Sequence, residues 1–211
     1  MDFQRWEPIY EEILKDMGYD RMDDENSVRV LKAVTLNSDL HSGDDYSDRI
    51  GDTVTVVGNA PCLEDDMDSI GIKGTVLCAG SAVCRMMSRG ILPDLVFTDL
   101  DGDIESQLEA SSKGAVTFIH AHGDNSEMIT MYAGLFEGPV VLTTQSTPEY
   151  TVFNYGGFTD GDRAYCYAKH FGAREINLIG FDYDHPMPKE GSDASVKLKK
   201  LQWAKRIIET I

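Results

Sequence analysis

The chain has 211 residues, 42% hydrophobic and 9% aromatic, enough for the core of one ordinary globular domain. Its 36 acidic and 19 basic side chains give a formal charge of −17, an average field that disfavours nucleic acid and anionic membrane as partners. No apolar run approaches a membrane span and residues 1–7 carry no signal-peptide pattern, so the expected address is cytoplasmic. Cys62, Cys78, Cys84 and Cys166 show no C-x-x-C pair or zinc-like grouping, and three of them sit inside or beside apolar runs and so read as reduced core residues. Composition leaves the oligomeric state open, a homodimer included.

Phe3, Trp6, Ile9, Tyr10, Ile13, Leu14 and Met17 recur at helical spacing before Gly18, predicting an amphipathic helix over residues 2–17. A second helix is expected from about Glu25 to Leu36, with Val28, Leu31 and Val34 inward. Residues 37–52 are polar and turn-rich, a linker. Residues 1–50 are therefore expected to form a helical scaffold or cap, and residues 51–211 the main domain. From Thr53, apolar strands at Thr53–Val57, Thr75–Ala79, Leu95–Phe97, Ala115–Ile119, Val140–Leu142 and Ile176–Ile179 alternate with helical stretches. These helices include one to about Arg89 and others near 104–111, from 126, at 160–170 and at 195–208. Continuous apolar strands separated by helices imply a parallel sheet covered on both faces, with right-handed crossovers. The expected class is α/β: a doubly wound, mostly parallel, Rossmann-like sheet of about six strands.

A polar or glycine-rich cluster follows each strand, so the clusters share the edge where open α/β sheets bind ligands. The sharpest is Thr98-Asp99-Leu100-Asp101-Gly102, after the strand introduced by Pro93. Extended alternation would put Asp99 and Asp101 on one side. Two carboxylates so placed repel unless a cation lies between them. Oxygen donors with room for water suit Mg²⁺. An EF-hand does not fit, because Ile104 stands where glycine is needed and Ala110 where the closing glutamate belongs. An acidic turn solvating a strand end is the plainer reading of the same residues.

Gly58, Asn59 and Ala60 after the first strand offer backbone N–H groups near a helix start, an anion site or simply a tight turn. His120-Ala121-His122-Gly123-Asp124-Asn125 places two histidines on one strand face. It approaches the H-x-H-x-D-H run of dinuclear zinc hydrolases, but Asn125 replaces the last histidine and the alternation does not support that family's sandwich. His120, His122 and Asn125 are better read as substrate or backbone partners, with Asp124 as a metal or phosphate-side group. Asp160, Asp162 and Arg163 open a helix, where an acid can cap and arginine can fork onto phosphate. Asp182 closes the last strand and could accept hydrogen bonds from an amino-substituted heterocycle. Lys189, Lys197, Lys199, Lys200, Lys205 and Arg206 gather toward the C-terminus and locally offset the acidic excess.

Together these runs resemble the archaeal 6-hydroxymethyl-7,8-dihydropterin pyrophosphokinase family, whose fold is similar to the thiamine pyrophosphokinase catalytic domain. Gly58 to Leu63, Pro93-Asp94 with Thr98 to Gly102, His120 to Asn125, Gly157 to Ala164 and Gly180-Phe181-Asp182 carry the likeness, in family order. The resemblance implies an enzyme that moves diphosphate from Mg²⁺-ATP to the hydroxymethyl oxygen of a pterin, releasing AMP. It implies that Asp99 and Asp101 hold Mg²⁺, with Asp124 and Asp160 assisting. Cations such as Arg163, Lys197 and Lys200 would meet the triphosphate. One position departs: where the family carries A-D-G-A, this chain reads Cys78-Ala79-Gly80-Ser81, which leaves metal number and acceptor open. The competing readings are a thiamine pyrophosphokinase and a non-catalytic nucleotide or pterin binder.

Overall fold

The computed structural model describes residues 1–185 and 193–211; Lys189 of the basic group lies outside them. Six strands, β1 Thr53–Val57, β2 Thr75–Ala79, β3 Leu95–Thr98, β4 Val116–Ala121, β5 Val140–Thr144 and β6 Glu175–Ile179, form one sheet in the order β5-β4-β3-β2-β1-β6. Every pairing is parallel. The helices are α1 Phe3–Met17, α2 Arg21–Val34, α3 Leu63–Ser69, α4 Val83–Ser88, α5 Ile104–Ser112, α6 Ser126–Tyr132, α7 Asp160–His170 and α8 Ala194–Thr210.

Strand alternation sends successive apolar side chains to opposite faces. Val54, Val56, Leu77, Leu95, Phe97, Val116, Phe118 and Val141 pack with Ala164, Tyr167 and Ala168 of α7. Val57, Val76, Cys78, Val96 and Ile179 share a cluster with Leu63, Met67, Val83, Met86 and Ala110. Ile119, Ala121, Val140 and Leu142 cluster instead with Val28 and Leu31 of α2 and Ile129 of α6. The sheet is thus covered on both faces, the doubly wound arrangement expected. Trp6, Tyr10 and Ile13 of α1 pack with Phe158, Cys166, Trp203 and Ile207.

The boundaries that moved have local causes. α2 begins at Arg21 rather than near Glu25, because the Asp20 side chain accepts the Met22 N–H as its N-cap. β4 runs past Ile119, its residues His120 and Ala121 pairing with Thr143 and Thr144 of a correspondingly longer β5. Leu40 bridges to Val140 and Phe153 to Thr143. The linker after α2 therefore touches the outer edge of β5, and the chain beyond β5 doubles back to it. No helix among the described residues is long and apolar enough to cross a membrane.

Candidate functional site

The loop after β3 does not continue as a strand. Leu100 has φ 65°, the left-handed region, and Gly102 follows at φ 78°. Asp99 and Asp101 are brought together by this reversal at Leu100, rather than by the strand alternation that the sequence suggests. The loop is tightly held. Leu100 N–H donates to Thr98 Oγ1 at 2.8 Å, the Thr98 hydroxyl donates to Gln107 Oε1 at 2.7 Å, and Gln107 Nε2 donates to the Asp101 carbonyl at 2.7 Å. Gly80 leaves room for this arrangement, since a Cβ there would lie 2.5 Å from Thr98 Oγ1. That requirement keeps a glycine beside the substituted Ala79.

The third carboxylate that joins the pair is Asp160, at the first position of α7, rather than Asp124. One oxygen from each of Asp99, Asp101 and Asp160 lies within 4.8 Å of the others. Asp160 accepts from Arg163 Nη1 at 2.8 Å, and Arg163 Nη2 is tied to the Phe158 carbonyl at 2.6 Å. Burial, then the negative charge of Asp99, pushes the Asp160 carboxyl well above the usual range, only partly opposed by Arg163. Burial also works against charge on Asp99, but the hydrogen bond and charge of His122, with Arg163 and Lys200 behind, hold its carboxyl below the usual range. Among the described residues Asp99 Oδ1 is screened from water and has no hydrogen-bond partner. Three converging carboxylates, one of them disfavoured as an anion by burial and by its neighbour Asp99 and another with an orphaned oxygen, suit a hard divalent cation that would neutralise them.

The histidines differ sharply. His122 Nε2 lies 3.3 Å from Asp99 Oδ2 and Nδ1 lies 2.6 Å from Asp124 Oδ1. Burial lowers its pKa, yet the two carboxylates outweigh that and raise it. The Asp124 carboxyl is pulled down to about 2, chiefly by the His122 hydrogen bond. Asp124 is thereby a partner of His122, with most of its side chain open to solvent. His120 is buried, and burial followed by Arg163 depresses its pKa well below 6.5. The Thr143 hydroxyl donates to the Ile119 carbonyl at 3.2 Å, so at 3.0 Å it accepts from His120 Nδ1. That pairing favours a proton on Nδ1, and Nε2 is buried and without a hydrogen-bond partner among the described residues, with Gln145 acting to raise the pKa against the burial. The ring lines a small cavity with Thr98, Tyr155, Gly156 and Arg163. Asn125 braces the two loops: its Nδ2 donates to the His120 carbonyl at 2.7 Å and the Asp99 carbonyl at 3.0 Å, and its Oδ1 accepts the His122 N–H.

Other expected residues sit elsewhere or are engaged. Gly58 and Ala60 donate their N–H groups to the Ile179 and Gly180 carbonyls at 2.9 and 2.8 Å, and Asn59 Oδ1 accepts from Arg85. The backbone of this turn is thus used to join β1 to β6, which corrects the expectation of an open anion cradle. Asp162 is completely buried and caps α7, accepting the Phe158 N–H at 2.6 Å and the Thr159 N–H at 2.7 Å. Its carboxylate faces the cap rather than a substrate. Asp182 closes its own turn by accepting from Asp184 and His185, three strands along the sheet order from β3. Lys200 acts electrostatically on both Asp99 and Asp124 and lies 5.8 Å from the Phe158 ring. Lys197 is one turn earlier on α8.

Sequence reasoning missed Gln107, Asp24 and Arg85. Gln107 is fully buried at a position of α5 that the spacing of Ile104, Leu108 and Ser111 would assign to an apolar side chain, which was a readable signal. Asp24 is 3% exposed, bonded to Tyr10 and to Gln145 Nε2. Arg85 bonds Glu64, Asn59 Oδ1 and the Ala60 carbonyl.

Residues 25–187 match the family described as 6-hydroxymethylpterin diphosphokinase MptE-like. A Pyrococcus furiosus protein named 6-hydroxymethyl-7,8-dihydropterin pyrophosphokinase is 38% identical over 220 residues, spanning 99% of this chain and 94% of its own. Proteins of the same name are 33% identical in Methanocaldococcus jannaschii, spanning 99% and 95% of the two chains, and 37% identical in Methanothermobacter thermautotrophicus, spanning 99% and 94%. Among solved structures, the MAf glycosyltransferase from Magnetospirillum magneticum AMB-1 aligns with a TM-score of 0.50 at 18% identity. That alignment covers 82% of this chain and 30% of the glycosyltransferase, a likeness of fold alone.

Proposed function

The chain belongs to the 6-hydroxymethylpterin diphosphokinase MptE-like family, and from that premise we propose that it transfers diphosphate from Mg²⁺-ATP to 6-hydroxymethyl-7,8-dihydropterin. The hydroxymethyl oxygen attacks the β-phosphorus, the bond from the α,β-bridging oxygen to that phosphorus breaks, and AMP leaves as the hydroxyl proton is lost. The convergence of Asp99, Asp101 and Asp160 carries this reading. Phosphoryl-type transfer needs in-line positioning and charge neutralisation more than covalent help. A chain of charge −17 must supply that neutralisation locally.

The three carboxylates are the residues that would hold Mg²⁺, which supplies neutralisation of the triphosphate when bound. Arg163 keeps Asp160 turned toward the pair through its own anchor on the Phe158 carbonyl. His122, held between Asp99 and Asp124, fixes the orientation of the Asp99 carboxylate from the β4 side. Lys200 brings a cation to the same rim. The pterin ring is assigned to the rim beside His122. Asp160 completing the carboxylate set supports a working enzyme despite Ala79, and favours it over a binder that has lost its chemistry.

The test incubates the protein with Mg²⁺, ATP and the pterin alcohol and follows products by phosphorus NMR. AMP and a pterin diphosphate are expected. ADP would mean attack at the γ-phosphorus and would overturn the mechanism. AMP formed with thiamine and not with the pterin would overturn the acceptor.

A further inference from the structure

Leu100 is, among the described residues, the one residue other than glycine with a positive φ. A leucine there is strained, and such strain persists only where the surroundings over-determine the backbone. Here they do so from three sides. The Leu100 N–H, the Asp101 carbonyl and the Asp99 carbonyl are each held by a side chain, Thr98, Gln107 and Asn125 respectively. The leucine side chain is completely buried and shares one apolar cluster with Val28 and Leu31 of α2, Ile119 of β4 and Ile129 of α6. Asparagine or glycine would take the same turn with less strain. What leucine adds is an apolar anchor.

We propose that Leu100, with the α2 face in its cluster, is the positioning element of the carboxylate site, so that the N-terminal helical segment sets how tightly Asp99 and Asp101 hold a divalent cation. The backbone clamp fixes the three ends of the loop, and the anchor fixes its middle, the point where the chain reverses between the two aspartates. Release of the anchor lets Leu100 relax toward ordinary φ, which swings the two carboxylates apart. The neighbouring contacts agree with α2 as the fixed side: Ser27 Oγ lies 2.7 Å from Ser126 Oγ, and a Cβ on Gly123 would lie 2.9 Å from Asp23 Cβ. Neither α2 nor Leu100 needs to touch substrate for this.

The inference rests on the metal reading above, so its test measures the metal directly. Mn²⁺ binding is followed by electron paramagnetic resonance on the whole chain without nucleotide, beside thermal unfolding. Leu100→Ala removes the anchor and leaves a residue with a Cβ, for which the left-handed turn is still unfavourable, so that the loop is free to relax. It should bind Mn²⁺ about 10- to 100-fold more weakly, the range seen when groups supporting a ligand are removed. Leu100→Met, apolar and of similar volume, should restore near wild-type binding. Val28→Ala, on α2, should weaken binding several-fold in the same direction, and covers the case that Leu100→Ala does not fold. Met67→Ala in α3, from a different apolar cluster, is the control: it should lower the melting temperature and leave Mn²⁺ affinity unchanged. Wild-type affinity in both Leu100→Ala and Val28→Ala would overturn the brace and leave the metal reading standing. Equal loss of affinity in Met67→Ala at equal loss of stability would reduce it to general destabilisation. A wild-type protein that takes up no Mn²⁺ would sink the metal reading and the brace with it.

Discussion

Two stretches of the same sheet edge read alike as sequence and differ as structures. Where β1 meets β6, the strand order reverses direction, the place where open α/β sheets usually receive a ligand. There the turn residues satisfy one another, Gly58 and Ala60 with Ile179 and Gly180 and Asp182 with its own turn. Among the described residues, the unpartnered buried atoms there, Asn177 Nδ2 and Tyr183 Oη, are not joined by a cluster of carboxylates. At the ends of β3 and β4 the groups are left wanting. Asp99 Oδ1 and His120 Nε2 have no partner among the described residues, three carboxylates crowd, and Leu100 is strained. Unmet polar groups and stored strain in a buried place cost stability and mark function. Glycines and aspartates after a strand mark only the edge.

The largest test of that contrast is in the aspartates. Asp99→Asn and Asp101→Asn should each lower kcat/KM by about 10³-fold or more, about 4 kcal/mol of transition-state stabilisation. The melting temperature of Asp101→Asn should hold, since it takes one carboxylate out of a crowded set, whereas Asp99→Asn should lose some stability with its ion pair to His122. Asp160→Asn should lose activity with them, and Asp182→Asn should stay within a few-fold of wild type. Steady-state rates at saturating Mg²⁺ decide it. A disabled Asp182→Asn beside an active Asp160→Asn would reverse the roles of the two regions.

Much of this was legible in advance because it is local. Apolar strands announce themselves by run length, and the start of α7 by its cap Thr159 followed by acids. Thr98 to Gly102 could be read as a metal candidate from two aspartates two apart at the end of an apolar strand, with an acidic turn as the plainer alternative. What escaped was non-local. Asp160 enters as an assisting ligand by resemblance alone: it reaches Asp99 because α7 crosses the face of the sheet beneath β1, β2 and β3, and no spacing in the chain encodes that approach. Asp124 looked the better ligand because it follows two histidines. Its side chain is instead turned to His122. The reversal at Leu100 was hidden as well, since nothing in the residue type suggests a left-handed leucine.

A middle-sized effect should appear on the quiet side. A Cβ at Gly58 would lie 2.5 Å from the Gly180 carbonyl oxygen, a backbone atom that cannot swing aside. Gly58→Ala should therefore cost about 2 kcal/mol, in the range for overpacking, and lower the melting temperature by about 4–8 °C. The activity of the folded fraction at low temperature should remain near wild type if this turn is structural. A Gly58→Ala protein of normal stability with a much raised KM for ATP would show instead that the turn opens onto phosphate, as its sequence suggests.

The smallest expected effect separates two histidines only two residues apart. His120 has a folded-state pKa well below 6.5 because it is buried, so below about pH 6.5 the unfolded chain takes up a proton that the folded chain refuses. That contribution to stability is present above 6.5 and is lost as pH falls, at a limiting slope of about 1.4 kcal/mol per pH unit. His122 has a raised folded-state pKa, so its contribution is fully present below 6.5 and is lost as pH rises through the folded value. Urea unfolding midpoints at pH 7.5, 6.5 and 5.5 read both. His120→Gln should flatten the loss between 6.5 and 5.5 by about 1 kcal/mol, whereas His122→Gln should act between 7.5 and 6.5, removing the gain in stability that protonation of His122 gives as pH falls there. Carboxylates in the usual range titrate mostly below this window. Nitrogen NMR of the wild type should show His120 neutral and protonated on Nδ1 throughout, as the donation from Thr143 to Ile119 favours. A His120 ring that titrates near 6.5 would mean that the β4 end is open to water, and the contrast between the two edges would lose its physical basis.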